Sequence, residues 1–155
     1  MPSRGRAVLR LQDYLPYRLS VAANAVSRLI ARAYEDRFAL KIPQWRLIAV
    51  LADDGPLTQQ ALCGRTIMDK VTVTRAAHGL LRRRLVRRLP NAADRRSHRL
   101  ALTAAGRRVY ARIVPLAIEH EARLLRGLGA TEVARLERLL RRLEHAAAQA
   151  YRSLY

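Results

Sequence analysis

The spacing of apolar residues predicts a mainly helical chain. In five stretches, apolar side chains recur every three or four positions, which is the period of an amphipathic α-helix. A sixth, shorter stretch follows a residue that is suited to start a helix. The stretches that we expect to be helices are residues 11–38, 44–53, 59–65, 70–85, 104–128 and 131–150. The terminal helices are too long for a small central module to cover their apolar faces, so these faces need other partners.

Residues that favour helix starts stand just before, or at the first position of, the last four of these helices. Thr58, Asp69, Thr103 and Thr131 each carry an oxygen that can accept a backbone N–H from the first turn, and we expect each to be an N-cap. Pro115 lies inside the fifth helix, where the missing N–H predicts a kink.

The apolar period changes to two after residue 85. Val86–Leu89 and His98–Leu102 alternate apolar and polar residues, and the polar segment 90–97 between them is rich in turn-forming residues. This pattern predicts a β-hairpin with a basic tip. A short helix, a tight turn, a second helix and a hairpin form a winged helix-turn-helix. The predicted fold class is therefore mainly α with a small β-hairpin wing, the winged module spanning residues 43–112 between long helices.

The charge of the chain points to a polyanionic partner. The 155 residues carry 30 Lys and Arg against 12 Asp and Glu, a net charge of +18. Residues 57–112 hold fourteen basic and two acidic residues, whereas residues 1–56 have a net charge of +4 and residues 113–155 one of +2. The excess therefore lies in the winged module, which we expect to bind double-stranded DNA. The flanking segments are expected to be ordinary amphipathic helices.

Other classes of protein lack support in the sequence. No glycine-rich phosphate loop or nucleophile motif is present, so we do not expect an enzyme. The four histidines are scattered, and neither a metal nor another cofactor is predicted. The single cysteine, Cys63, is expected to be a buried, inert thiol. No signal peptide or apolar run of membrane-spanning length is found, so no membrane association and a cytoplasmic location are expected.

Four segments resemble the MarR family of bacterial transcriptional regulators. They are residues 57–62, 69–75, 80–88 and 94–107, and the last contains the family's Asp-x-Arg-Ser and Leu-Thr-x-x-Gly patterns. The resemblance covers roughly residues 11–150, and we expect a single MarR-like domain over residues 1–155. It implies a homodimer whose first and last helices, residues 11–38 and 113–155, interlock. It also implies two winged modules on a palindromic operator, most often with repressor function.

The second helix of the predicted module carries the first candidate DNA contacts. Thr72, Thr74 and Arg75 lie in its first turns, which in such modules enter the major groove. Hydroxyls suit phosphates or base edges, and Arg75 can bind a guanine edge with two hydrogen bonds. Lys70 is expected to contact a phosphate. The alternative is a solvated helix start at which the threonines serve as caps.

The wing carries the second set of candidate contacts. Arg95 and Arg96 flank the hairpin tip, and an arginine inserted into a narrow minor groove meets strong negative potential. Asp94 is expected to steady one guanidinium through a bidentate pair. The resemblance suggests that Arg96 is its partner and that Arg95 is freer. The alternative is that the tip is a solvated turn. Two arginine runs lie nearby, at residues 82–84 and 87–88, and we expect about half of these arginines to be solvated and not to contact DNA.

Four residues form a candidate site for a small effector. Tyr17 and Arg18 lie near the start of the chain, and Trp45 and Arg46 open the second predicted helix. The resemblance implies that effectors, commonly aromatic acids, bind between the dimer helices and the winged module. The alternative is that Tyr17 and Trp45 are core residues and both arginines are surface residues.

Two other functions compete with that of a transcriptional regulator. They are a low-specificity architectural DNA binder and an enzyme with a metal bound by His120 or His145.

Overall fold

The computed structural model describes residues 9–154, which form two compact units divided between Ile118 and Glu119. Seven α-helices are assigned in this part of the chain: α1 (Leu15–Ala31), α2 (Glu35–Phe38), α3 (Ile42–Asp54), α4 (Gln59–Thr66), α5 (Lys70–Arg82), α6 (Ala104–Leu124) and α7 (Ala130–Ser153). Its three strands are β1 (Leu57–Thr58), β2 (Val86–Pro90) and β3 (His98–Leu102). Short 3₁₀ turns lie at Leu11–Asp13 and Leu125–Gly127. The mainly helical fold with a small β-wing is confirmed.

The first predicted helix is interrupted, so the expectation of one helix over residues 11–38 is wrong. The chain turns between Ala31 and Glu35 and then forms the short helix α2. The side chains of Ala31 and Ala33 are both buried, although positions two apart lie on opposite sides of a straight helix. The turn lets both sides of the segment, together with Tyr34 and Phe38, enter the same core.

The core of the first unit lies between α3, α5 and the sheet. Leu47 and Ile48 on α3, Val73 and Leu80 on α5, and Leu100 on β3 are almost completely buried. This packing fixes α5 on the rest of the unit and leaves its other face exposed. Within residues 9–154, no helix has both the length and the apolar character that crossing a membrane requires.

The sheet is antiparallel with the strand order β1-β3-β2. The predicted hairpin is confirmed, with Val86 opposite Leu102 and Pro90 opposite His98. The third strand, β1, places Leu57 opposite Leu100 and was not predicted. Two residues are too few to show the alternation by which a strand is recognised in a sequence.

Three of the four predicted N-caps are confirmed. Oγ1 of Thr103 accepts the N–H of Gly106 at 3.0 Å, and the side chains of Thr58 and Asp69 each accept a backbone N–H from the first turn of their helix. The expectation for Thr131 is wrong, because α7 begins one residue earlier. Its first turn is closed by the N–H of Gly129, which donates to Oε2 of Glu132 at 2.8 Å. The structure assigns α6 as one helix through Pro115.

The Leu-Thr-x-x-Gly pattern joins the end of the wing to α6. The Thr103 hydroxyl donates to the carbonyl of Arg84 at 2.7 Å, and the Thr103 N–H donates to that of Leu85 at 3.0 Å. A side chain at Gly106 would overlap the Leu85 carbonyl oxygen. The pattern therefore has a structural role in holding the wing.

Helix α5 ends at Arg82, three residues before its predicted end, because Arg84 takes a left-handed conformation with φ of 56°.

Candidate nucleic-acid interface

Helix α4 and the turn after it place α5 at the surface. Oγ1 of Thr58 accepts the N–H of Ala61 at 3.1 Å, which starts α4 as predicted. Leu62 and Val73 anchor the two helices in the core. Between the helices, Ile67 has a left-handed backbone with φ of 54° and leaves 88% of its surface exposed. The turn is therefore tight, and the first residues of the two helices, Gln59 and Lys70, line the same cleft.

The predicted cap of α5 is present and is doubly bonded. Oδ1 of Asp69 accepts the backbone N–H of Thr72 at 2.8 Å, and Oδ2 accepts its hydroxyl at 2.7 Å. These hydrogen bonds, the backbone one first, lower the pKa of the Asp69 carboxyl from its ordinary value. Asp69 therefore stays ionised at neutral pH and fixes the first turn of the helix.

The exposed face of α5 carries a row of side chains with helical spacing. Val73, Ala76, Ala77 and Leu80 are buried, whereas Val71, Arg75, His78 and Arg82 are exposed at intervals of four, three and four residues. Arg75 makes no hydrogen bond or ion pair with the described residues, which leaves its guanidinium available to a ligand. Sequence reasoning missed Val71 and His78, although their spacing from Arg75 places them on the same face.

The two predicted threonine contacts already have partners inside the protein. The Thr72 hydroxyl is bound to Asp69, and the Thr74 hydroxyl donates to Oε1 of Gln59 at 3.0 Å. Thr74 thereby connects the start of α5 to the start of α4. Contact of either hydroxyl with DNA stays a prediction. Lys70, by contrast, is exposed at the first position of α5.

The tip of the wing is closed by hydrogen bonds from its own side chains. Nδ2 of Asn91 donates to Oγ of Ser97 at 2.7 Å, and Oδ1 of Asp94 accepts the backbone N–H of Arg96 at 3.0 Å. Nε of Arg96 reaches the same carboxylate oxygen at 3.4 Å, and 93% of the Arg96 side chain is exposed. The pair is therefore a single contact and not the expected bidentate one, because Oδ1 is shared with the backbone. Arg95 is exposed and makes no such contact with the described residues.

A basic cleft of about 700 Å³ separates the wing from the helix starts. Its lining includes Lys70 at the start of α5, Arg88 and His98 on the strands, and Arg96 near the wing tip. Asp94 is the one acidic residue among its lining. The cleft thus brings three of the predicted site residues together, and its chemistry suits a phosphate group. Arg75 is not part of the lining, nor is Arg95.

The neighbouring arginine runs serve different purposes. Arg83 donates from Nη1 to the Ala39 carbonyl at 2.9 Å and from Nη2 to the Phe38 carbonyl at 2.6 Å, which joins the end of α5 to the end of α2. Arg82, Arg84, Arg87 and Arg88 are exposed. Arg83 therefore has a structural role, whereas the other four arginines are solvated. The sequence alone does not show which arginine of the runs has a partner inside the protein.

The four candidate effector residues do not meet in one chain. The Trp45 ring stacks with Tyr34, with 5.5 Å between ring centroids, and with Tyr110, with 5.7 Å between ring centroids. Nη2 of Arg46 lies 3.5 Å from Oγ of Ser27 on α1. Since Ser27 is ten residues after Tyr17, about 15 Å along the helix, Tyr17 and Arg18 lie far from Arg46. Burial, above all, raises the pKa of Tyr34 to about 12, so its ring stays neutral in the stack.

The remaining candidate chemistry is sparse in the described residues. Cys63 is half-buried, so the expectation of a buried thiol is wrong. Cys63 follows Leu62, the residue of α4 that is completely buried. The Cys63 side chain lines a cleft together with Met68 and Lys70. No group of three or more metal-binding side chains occurs within residues 9–154.

Known proteins that are similar to this chain in sequence belong to one family of transcriptional regulators. A sequence model described as the MarR family matches residues 40–97. The transcriptional regulator HosA of Escherichia coli is 31% identical over 101 residues, which span 65% of this chain and 75% of HosA.

Two solved structures are similar over most of the chain. BpsR of Bordetella bronchiseptica, whose DNA binding is regulated by 6-hydroxynicotinic acid, matches at 25% identity with a TM-score of 0.76 over 84% of this chain and 98% of BpsR. A mutant of MarR from Escherichia coli in complex with operator DNA matches at 25% identity with a TM-score of 0.76, over 83% of this chain and 92% of MarR.

Proposed function

Because the chain belongs to the MarR family of transcriptional regulators, we propose that it is a homodimeric repressor that binds a palindromic operator. The observation that carries this proposal is the exposed row on α5 beside a basic cleft and a wing with a free arginine. The family consists of DNA-binding proteins without enzymatic activity, and we propose none here. The Escherichia coli relative in complex with operator DNA supports the same use of the fold.

Helix α5 is proposed to enter the major groove. Arg75 has the exposure and the free guanidinium needed for a bidentate contact with guanine O6 and N7. Val71, 64% exposed, offers an apolar surface for a thymine methyl group. Lys70 contacts a phosphate at the mouth of the basic cleft. Thr72 and Thr74 hold the start of the helix, and any DNA contact that they make is secondary to that task.

The wing is proposed to read the minor groove through Arg95. Arg96 is held toward Asp94, whereas Arg95 has no partner among the described residues and is free to follow the negative potential of a narrow groove. Asp94 shapes the tip by accepting a backbone N–H and part of a guanidinium. Its role is thus to position the wing and not to touch DNA.

A second copy of the chain is proposed to cover the apolar faces of α1 and α7. Leu15 on α1 exposes 55% of its surface, and Leu136, Leu140 and Leu143 on α7 each expose between 40% and 43%. Apolar rows of this length on a folded protein in water indicate an association surface. A two-fold dimer would present two equal modules, as a palindromic operator requires.

Operator binding is proposed to be weakened by a small aromatic acid. The regulation of BpsR by 6-hydroxynicotinic acid supports this class of effector. Tyr34 and Tyr110 both stack on the Trp45 ring, so the ligand would approach the edge of the stack, where Arg46 is the candidate for its carboxylate. Tyr17 and Arg18 remain candidates only if a second copy brings them there. The ligand acts by favouring a module spacing that does not fit the operator.

The effector proposal can be tested with benzoate, salicylate and 6-hydroxynicotinate. An active compound should quench the fluorescence of Trp45, the single tryptophan, and weaken operator binding about 5- to 150-fold. Arg46→Gln should abolish the response, and Arg37→Gln, at an exposed arginine on α2, serves as the matched control. A compound that releases DNA equally from the Arg46→Gln protein would contradict the proposed site.

The operator proposal can be tested by selecting duplexes from a random library and footprinting the protein on the enriched sequences. We expect an inverted repeat whose half-sites lie about 10 base pairs apart, one turn of DNA. Protection without two-fold symmetry, or no enrichment at all, would contradict the proposal and favour a low-specificity architectural binder.

A further inference from the structure

Helix α7 carries a cationic row that the DNA-binding module does not explain. Its basic side chains follow one another at intervals of three and four residues, which places them on a single face of the helix. The members of this basic stripe are Arg135, Arg138, Arg142, His145 and Arg152, with Gln149 filling the remaining position. All six residues are exposed.

The basic stripe lies opposite the apolar face of the same helix. The apolar row has the same spacing and runs through Val133, Leu136, Leu140 and Leu143. Each of the first four basic positions follows an apolar one by two residues, which is a rotation of about 200°. A partner that covers the leucines therefore leaves the basic stripe exposed.

The acidic residues of α7 do not neutralise the stripe. Glu132 is engaged with the N–H of Gly129, and Glu137 pairs with Arg141, at 3.7 Å, beside the stripe. Arg135, Arg138 and Arg142 make no ion pair with a described residue. An open groove is lined by Arg138, Arg141, Arg142 and His145. The positive charge of this face is thus unpaired, although the whole segment 113–155 has a net charge of only +2.

Duplex DNA matches this face better than a membrane does. The stripe spans residues 135–152, about 25 Å along the helix axis, and over this length a duplex presents one phosphate charge about every 1.7 Å. Arginine guanidinium groups bind phosphate oxygens in a bidentate manner. A membrane-bound helix would insert its apolar face with cations beside it, whereas here Glu137 and Glu144 flank one side of that face.

We propose that the basic stripe of α7 binds the phosphate backbone of duplex DNA without sequence preference, as a second DNA-binding surface distinct from the winged module. The proposal is independent of operator recognition, because it concerns another helix and another mode of binding. When the winged module holds a DNA molecule, the basic stripe of the same protein is at a high effective concentration for nearby duplex DNA, and the reverse is also true.

The test uses full-length protein in which three proposed DNA contacts of the module are removed by Lys70→Gln, Arg75→Gln and Arg95→Gln. Into this background we introduce Arg135→Gln, Arg138→Gln and Arg142→Gln, which remove three charges from the stripe. The matched control removes three exposed arginines elsewhere, through Arg28→Gln, Arg32→Gln and Arg37→Gln. The probe is a labelled duplex of about 20 base pairs with a scrambled sequence, followed by fluorescence anisotropy over a range of salt concentrations.

We expect the stripe substitutions to weaken binding about tenfold or more at low salt and to reduce the slope of log K against log salt by about 2 to 3. The control should change affinity by less than about twofold, because its arginines lie off the stripe. Equal losses in both proteins would show that only net charge matters and would overturn the proposal, as would no loss in either. If the triple variant loses its helical circular dichroism, Arg138→Gln alone is compared with Arg32→Gln by the same criteria.

Discussion

Two exposed arginines occupy different elements of the module and are therefore expected to read DNA in different ways. Arg75 lies on the outer face of α5, and Arg95 lies at the tip of the wing. Arg75→Ala should cost about 1–3 kcal/mol of binding free energy and relax sequence preference at one position in each half-site. Arg95→Ala should weaken binding most where the flanking DNA is rich in A·T pairs and its minor groove is narrow.

Anisotropy titrations over a panel of operator variants separate these two effects. Both proteins should keep the wild-type melting temperature, because neither side chain contributes to the core. Equal losses on every sequence for both variants would contradict the division between major-groove and minor-groove contacts.

Two glycines in the module should respond to alanine with opposite signs. A Cβ at Gly106 would collide with the Leu85 carbonyl oxygen, whereas a Cβ at Gly64 on α4 has open space around it. Gly106→Ala should therefore lower the free energy of unfolding by about 1–3 kcal/mol or more. Gly64→Ala should raise it by up to about 1 kcal/mol, since alanine favours the helix.

Chemical denaturation of the two glycine variants measures both changes. A Gly106→Ala protein as stable as wild type would show that the junction between the wing and α6 can relax, and that the Leu-Thr-x-x-Gly pattern does not require close packing at this point.

At the scale of the elements, Arg83 links α5 to α2. Its guanidinium donates to the Phe38 and Ala39 carbonyls, whereas Arg82 is exposed beside it. Arg83→Ala should lower the free energy of unfolding by about 1 kcal/mol, after allowance for solvent around the exposed part of the side chain. Arg82→Ala is the matched control and should change stability by less than about 0.5 kcal/mol. Equal melting temperatures for the two variants would contradict the link.

Most of the elements follow from local patterns in the sequence. The helix starts at Thr58, Asp69 and Thr103 were predicted because a cap acts within three residues, and the hairpin was predicted from its period of two. The break after Ala31 depends on a core formed by distant segments, so no local pattern reports it. The strand β1 exists only through its pairing with β3.

The candidate site was predictable to a similar degree. Exposure of Arg75 and the freedom of Arg95 agree with the expectations drawn from residue type and position. The partners of the Thr74 hydroxyl and the Trp45 ring were not predictable, since Gln59, Tyr34 and Tyr110 approach from other elements. The net charge of residues 113–155 does not reveal the basic stripe of α7, because charges on different faces of a helix cancel in such a sum.

At the scale of the whole molecule, the exposed leucines of α7 predict a dimer. The protein should have a mass of about 35 kDa in solution, twice the 17.6 kDa of one chain. Leu136→Lys combined with Leu140→Lys should reduce the mass toward that of one chain and weaken operator binding. The control, Arg138→Gln on the opposite face, should remain a dimer. Light scattering that reports a helical monomer for the wild type would contradict the proposed assembly.

Sequence-specific recognition of an operator by two winged modules is tested most directly by comparing an operator with a scrambled duplex. Each affinity is measured by anisotropy at several salt concentrations. If each module neutralises about four phosphates, the slope of log K against log salt on the operator should be around −7. At about 150 mM salt, the operator should be bound about a thousandfold or more tightly than the scrambled duplex. Equal affinity for the two duplexes at that salt concentration would contradict the account.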